Sequence, residues 1–261
     1  MANYFLIGAK QFGVEIFSQK DGKTVLNFDR EIMKKIWDNY YVPYVNGWFE
    51  ASGRFRSDDV KMGGVISFVG SSSGATFFPD AVIVDDEHSY PIEMQVLPAP
   101  KFEGGEDVAV QQGAGMVVTE GDEKEVYASV LFLKWFTDAS RNSAFSIESG
   151  YMPVQKAAND IDFIRENTQA DKEEIEQIVS VAIDTVNNNQ LYTTKAFANG
   201  TEARNVLEYA MFDLAKADRA QVLAEIAKGV SPEEAAAPYL TDEYFDAWYQ
   251  ATKAKLELLA A

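Results

Sequence analysis

The β-forming signal in this chain is confined to its first half, and that distribution limits the fold more than any single motif. Runs with strand-like patterning occur only before Glu120, whereas from Asp171 onward the apolar spacing is almost wholly helical. A self-contained doubly wound domain alternates strands and helices along its length. The uneven distribution therefore predicts part of a larger α/β architecture, a mixed sheet flanked by helices with a helix-rich C-terminal half.

Local signals place the elements. Asp29 is a helix cap in front of Ile32, Met33, Ile36, Trp37 and Tyr40, a stripe suited to covering a sheet, and Pro43 is expected to end that helix. A strand is expected over 65–69, emptying into the small-residue turn Gly70-Ser71-Ser72-Ser73-Gly74. Another is expected over 92–97, stopped by Pro98 and Pro100. Gly113-Ala114-Gly115 leads into a third apolar run ending at Val118. A helix carrying Val126, Val130, Leu133, Trp135 and Phe136 follows, and then the segment Gly150-Tyr151-Met152-Pro153-Val154. Further helices carry Ile175, Ile178, Val179 and Ala182, then Val206, Leu207, Ala210, Met211 and Leu214. Ser231-Pro232 is a helix start, with serine as cap and proline in the first turn. No internal repeat or low-complexity linker interrupts the chain.

Composition removes several classes of function. With 261 residues and 47% hydrophobic content the chain can bury one large core or two modest ones. Its 41 acidic against 23 basic residues, a formal charge of -18, repel phosphate backbones and anionic lipid surfaces, so nucleic-acid and membrane-surface roles are not expected. The absence of cysteine excludes disulfides, zinc-thiolate sites, iron–sulfur clusters and thiol nucleophiles. The start, Met1-Ala2-Asn3-Tyr4-Phe5-Leu6-Ile7, is not a signal peptide, and no run reaches the ~20 apolar residues needed to cross a bilayer.

Three segments in order resemble the family 1 extracellular solute-binding proteins, which include maltose, other carbohydrate and glycerol-3-phosphate binders. They are Val65 to Gly74; Gly113 to Val118 with the helix Ala128 to Thr137; and Ser149 to Val154, which is similar to the family's Gly-Tyr-Leu-Pro-Val segment with Met152 in place of leucine. The resemblance implies a class II periplasmic-binding-protein-like fold of two lobes around a ligand cleft. It also implies that this chain starts inside the second lobe, through a shortened chain or a misplaced gene start. On that basis 1–97 belongs to the second lobe, 98–155 crosses to the first, and 156–261 is the helical remainder of the second. The expected partners are a carbohydrate or polyol-phosphate ligand and ABC permease subunits. The expected setting is extracytoplasmic, periplasmic or as a cell-surface lipoprotein, and self-association of the shortened chain is expected.

The candidate ligand residues each carry two readings. Ser72 and Ser73 form an ordinary turn by residue type, while the resemblance implies a ligand-binding serine that falls best on Ser72. Gly113 either admits a ligand close to the backbone or serves hinge geometry. Tyr151 offers a ring and a hydroxyl, against a core role. Arg204, opening a helix, is either an anion site or a surface arginine paired with Glu202 or Glu208; the resemblance to glycerol-3-phosphate binders favours the anion site. Trp48 is a stacking platform for a sugar or, like its aromatic neighbours, part of a core.

Two rival functions stand beside solute binding. An enzyme would need a catalytic constellation, yet Asp58-Asp59 and Asp85-Asp86-Glu87 read as solvated loops, and His88 is the one histidine. No catalytic residue, metal site or cofactor is therefore assigned. A helical interaction module over 171–261 is the second rival, and it predicts an exposed apolar groove on those helices and a partner protein.

Overall fold

In the computed structural model the described residues are 1–51, 56–168 and 173–260. The chain opens with α1 (Ala2–Gln11), the hairpin β1 (Phe17–Lys20) and β2 (Lys23–Leu26), and α2 (Arg30–Asn46). Short elements follow: α3 (Arg56–Lys61), α4 (Ser72–Ala75), β3 (Ala81–Ile83), β4 (Ser89–Pro91) and β5 (Val108–Val110). The helices α5 (Glu123–Phe136), α6 (Ala139–Ser149), α7 (Ile161–Asn167) and α8 (Glu173–Asn188) come next. Then β6 (Gln190–Tyr192) precedes α9 (Gly200–Ala227), α10 (Pro232–Ala236) and α11 (Asp242–Ala260). The chain divides into two compact units, one of 1–50, 101–111 and 190–261 and the other of 51–100 and 112–189.

The first unit is built on helix–helix packing. Asp29 caps α2 as expected, its side chain accepting the Ile32 N–H. The apolar stripe of α2 packs on α9 and α11 and not on a sheet: Trp37 stacks on Tyr41 with ring centroids 3.6 Å apart, and Phe245 and Trp248 of α11 lie 5.6 and 5.1 Å from Trp37. Pro43 does not end α2. It lacks a donor, but its carbonyl still accepts the Trp48 N–H at 2.9 Å, and buried Tyr44 and Val45 hold the last turn to the core. Termination falls instead to Gly47, at φ +78, where a Cβ would lie 2.1 Å from Arg219 Nη2. The Arg219 Nη1 donates to the Val45 carbonyl at 3.0 Å, satisfying an end of α2 from α9.

Asp218 on α9 is buried and accepts the hydroxyls of Tyr41 at 2.5 Å and Tyr244 at 2.8 Å. Burial and then the Asp218 carboxylate push Tyr41 far above the ordinary tyrosine range, and the same causes raise Tyr244 to about 12. Gln11 ties the returning segment 101–111 into this unit. Its Oε1 accepts the Phe102 N–H at 3.0 Å, its Nε2 donates to the Val108 carbonyl at 3.2 Å, and its own carbonyl accepts the Glu106 N–H at 2.8 Å. That anchoring places β5 parallel to β6, in the register Val108 with Gln190 through Val110 with Tyr192.

The second unit has a smaller core, with Ile147, Ile164, Val179 and Ile183 joining α6, α7 and α8, and Met152 and Ile161 packed against them. The fold is mixed α/β and helix-rich as expected, but among the described residues the strands do not join into one mixed sheet. The described residues contain three separate two-stranded sheets, β1 with β2, β3 with β4 and β5 with β6. Residues 65–69, 92–97 and 113–118 have strand-like composition but no ladder, because a strand needs a neighbour for its N–H and C=O groups and none is supplied to them. The 92–97 segment nevertheless keeps strand alternation, with 92, 94 and 96 half-buried and 93, 95 and 97 exposed. The Val96 N–H finds the Gln177 side chain of α8 in place of a strand. Ile66 is 99% exposed and Val117 86%, and α5 leaves Tyr127, Leu131, Phe132 and Trp135 exposed.

The stretch 171–261 is not one helical module, since α8 belongs to the second unit and α9 to α11 to the first. The boundaries 1–97, 98–155 and 156–261 expected from the resemblance are a different division of the chain from these two compact units. No helix among the described residues is long and apolar enough to cross a membrane.

Candidate functional site

Four of the sequence candidates lie in the second unit: Ser72, Ser73, Gly113 and Tyr151. Trp48 and Arg204 lie in the first. Within the second unit, α4 opens on a serine cap, but the capping residue is Ser71, whose Oγ accepts the Gly74 N–H at 3.0 Å and lies 3.2 Å from Ser73 Oγ. Ser71 thus leaves the Ser72 side chain outside the cap.

Gly150 brings the third segment to the same place. At φ +71 it ends α6 as a left-handed cap, and a Cβ there would sit 2.8 Å from the Ser73 Cα and 2.9 Å from Thr76 Cγ2. Glycine is required twice over, by backbone conformation and by the close approach of α4. Tyr151 follows directly, its N–H donating to the Ser146 carbonyl at 2.8 Å and its side chain exposed. The structure therefore joins Ser72, Ser73 and the start of the Tyr151 segment, residues some 80 apart in the chain.

Gly113 is exposed, and a Cβ there meets nothing within 4 Å. Neither packing nor a positive φ demands glycine at that position.

In the first unit Trp48 is 78% exposed, while its neighbour Phe49 packs edge-on against Tyr40 and Tyr44 at 4.9 and 5.8 Å. The core reading expected for this aromatic stretch holds for Tyr40, Tyr41 and Tyr44 and not for Trp48. Arg204, the fifth residue of α9, donates from Nη2 to Asn3 Oδ1 and sits beside Glu208. Burial pushes the Glu208 carboxyl up. The Ala2 N–H, the Met1 ammonium and Arg204 outweigh it and hold that carboxyl below its ordinary value.

The acidic loop 85–87 is a surface feature, whereas Asp58 and Asp59 stand on α3 and not on a solvated loop. Glu87 and His88 donate their N–H groups to Asp85 Oδ1, and His88 Nδ1 lies 2.7 Å from the same oxygen. The Glu87 N–H and then the His88 side chain hold Asp85 below the usual carboxylate range. Asp59 is buried and paired with Arg56 at 3.0 Å, so it and its neighbour Asp58 do not form a facing pair. Among the described residues no group of three or more His, Asp or Glu side chains converges on a metal position.

Sequence reading missed a cavity of about 230 Å³ in the second unit, between α4, α6, α8 and the 92–94 segment. Its polar groups are Thr76, Asp80 and Glu148. Only the alternation of Ile92 and Met94 and the position of Glu148, three residues before Tyr151, hinted at it.

The family model for bacterial extracellular solute-binding proteins matches residues 1–173, about two thirds of the chain. The chain belongs to the bacterial extracellular solute-binding protein family. The match spans α4 and the Gly150–Tyr151 segment, and all of the cavity lining except Ile178. No curated protein and no solved structure matches the chain. For a solute-binding protein of this family the role is the capture of a small molecule for ABC import, with permease subunits as partners and an extracytoplasmic setting. Proteins of the family are generally not enzymes.

Proposed function

We propose that this solute-binding protein captures a carbohydrate or related polar solute, with Ser72, Ser73 and Tyr151 as its principal contacts in the second unit. The observation that carries this reading is the contact of Gly150 with the α4 backbone, which brings the start of the Tyr151 segment to Ser72 and Ser73. A sugar needs that combination, an aromatic face for its C–H surface and small hydroxyl groups for its own. In the same unit the open backbone at Gly113 is accessible to a ligand, and in the first unit the exposed Trp48 ring is a separate stacking surface. The family 1 subtype, with a lipoprotein or periplasmic location, goes with this reading.

Glycerol-3-phosphate is the second reading, and Arg204 supports it by its place near the start of the 28-residue helix α9. Its guanidinium would have to exchange the Asn3 contact for a phosphate. Calorimetric titration with maltose, short oligosaccharides and glycerol-3-phosphate separates the two. Sugar binding that falls about tenfold or more in Tyr151→Ala, with little salt dependence, supports the first reading. Glycerol-3-phosphate binding that is lost in Arg204→Ala and weakens steeply with salt supports the second. Binding of neither class, or binding indifferent to all of these substitutions, rules out this assignment of the site.

A further inference from the structure

The cavity of the second unit differs in chemistry from a sugar site. Its floor is apolar, with Ile147 and Ile178 only 3% and 4% exposed, and Ile92 and Met94 form a wall. At about 230 Å³ it is smaller than the ~300–1,000 Å³ of pockets for drug-sized ligands, so it suits a small molecule.

Two carboxylates, Asp80 and Glu148, line it, and no lining residue is basic. Neither carboxylate has an ion-pair or hydrogen-bond partner among the described residues. Glu148 also stands in the last turn of the 11-residue helix α6, where the carbonyl end already carries partial negative charge and no basic residue compensates it. A carboxylate placed there, at the mouth of an apolar cavity, attracts a cation. A polyhydroxylated ligand is poorly served, because an Ile and Met surface leaves buried hydroxyls unpaired. An anion is repelled. A bare metal ion lacks a third ligating side chain.

We propose that this cavity holds a small organic amine, its apolar body against Ile147, Ile178, Ile92 and Met94 and its ammonium group between Asp80 and Glu148. The proposal rests on the family's solute-binding role alone and gives the cavity a ligand of its own, a cation with an apolar body, separate from the sugar contacts. The overall charge of -18 favours the approach of such a ligand.

Isothermal titration of the full chain with 3-methylbutylamine and phenethylamine, against 3-methylbutanol as the uncharged isostere, tests it. The amines are expected to bind about tenfold or more tightly than the alcohol, and Glu148→Gln and Asp80→Asn are each expected to remove most of that preference. Both side chains are exposed, so circular dichroism and urea midpoints of the two variants should match the parent and exclude misfolding. Absence of amine binding, or amine binding unchanged in both variants, overturns the proposal. Sugar or glycerol-3-phosphate binding that persists in both variants while amines fail to bind also overturns it and leaves the solute-binding reading intact.

Discussion

Replacing Gln11 by methionine tests how the first unit holds the segment that carries β5. Methionine keeps the side chain's length and apolar contacts but deletes the bonds from Phe102 N–H and to the Val108 carbonyl. Gln11 is 5% exposed and Val108 is buried, so the Val108 carbonyl loses its side-chain partner without access to water. Phe102 is half-buried, so its N–H regains part of its solvation. With about 1–3 kcal/mol for each buried group left unpaired, and the Phe102 donor near the lower end, the expected loss is roughly 2–4 kcal/mol. The bond from Glu106 N–H to the Gln11 backbone carbonyl survives, so the segment should loosen and not detach. Trp37 and Trp248 are buried in the same unit, which makes tryptophan fluorescence in urea the natural readout, with hydrogen exchange over 102–110 as the local one. An unfolding free energy within about 0.5 kcal/mol of the parent, with unchanged exchange at those amides, would refute the assigned role.

Gly150→Ala should destabilise the second unit by roughly 2–4 kcal/mol, combining left-handed strain with the collision on the Ser73 backbone, and exchange over 72–76 should rise; an unchanged profile there contradicts the α4 contact. Tyr41 and Tyr244 have folded-state values above the unfolded one, so their stabilisation is complete below pH ~10; that of Tyr244 is lost as the pH rises through about 12 and that of Tyr41 only at higher pH. Tyrosinate absorbance should accordingly show a late component that coincides with loss of near-ultraviolet dichroism, and Tyr244→Phe should shrink it; a single component near pH ~10 with the fold intact counts against the Asp218 network. The exposed side chains of Tyr127, Leu131, Phe132 and Trp135 on α5 predict concentration-dependent self-association in sedimentation velocity, reduced by Leu131→Glu. A strictly monomeric parent at every concentration would remove that expectation.

The features legible in the sequence are those whose causes lie within a few residues. Asp29 and Ser231 cap the helices they were expected to cap, because the bonds run only to Ile32 and Glu234. The helices over 123–136, 173–188 and 200–227 follow from their apolar spacing in the same way. The Gly150-Tyr151 segment was likewise visible as a candidate, and its family resemblance agrees at the broader level with the match over 1–173. What needed the tertiary structure depends on distant partners. Residues 65–69 and 113–118 carry strand composition, but composition cannot provide the neighbouring backbone that makes a strand. Pro43 looks like a helix end until Tyr44 and Val45 are seen buried and Gly47 is seen facing Arg219. Asp80 and Glu148 are two among 41 acidic residues in the chain, and only the folding of α4, α6 and the 92–94 segment around one space distinguishes them. Short-range hydrogen bonding and periodicity are written into consecutive residues, whereas pairing, cavities and the company a charge keeps are set by which remote segments the packed chain brings together.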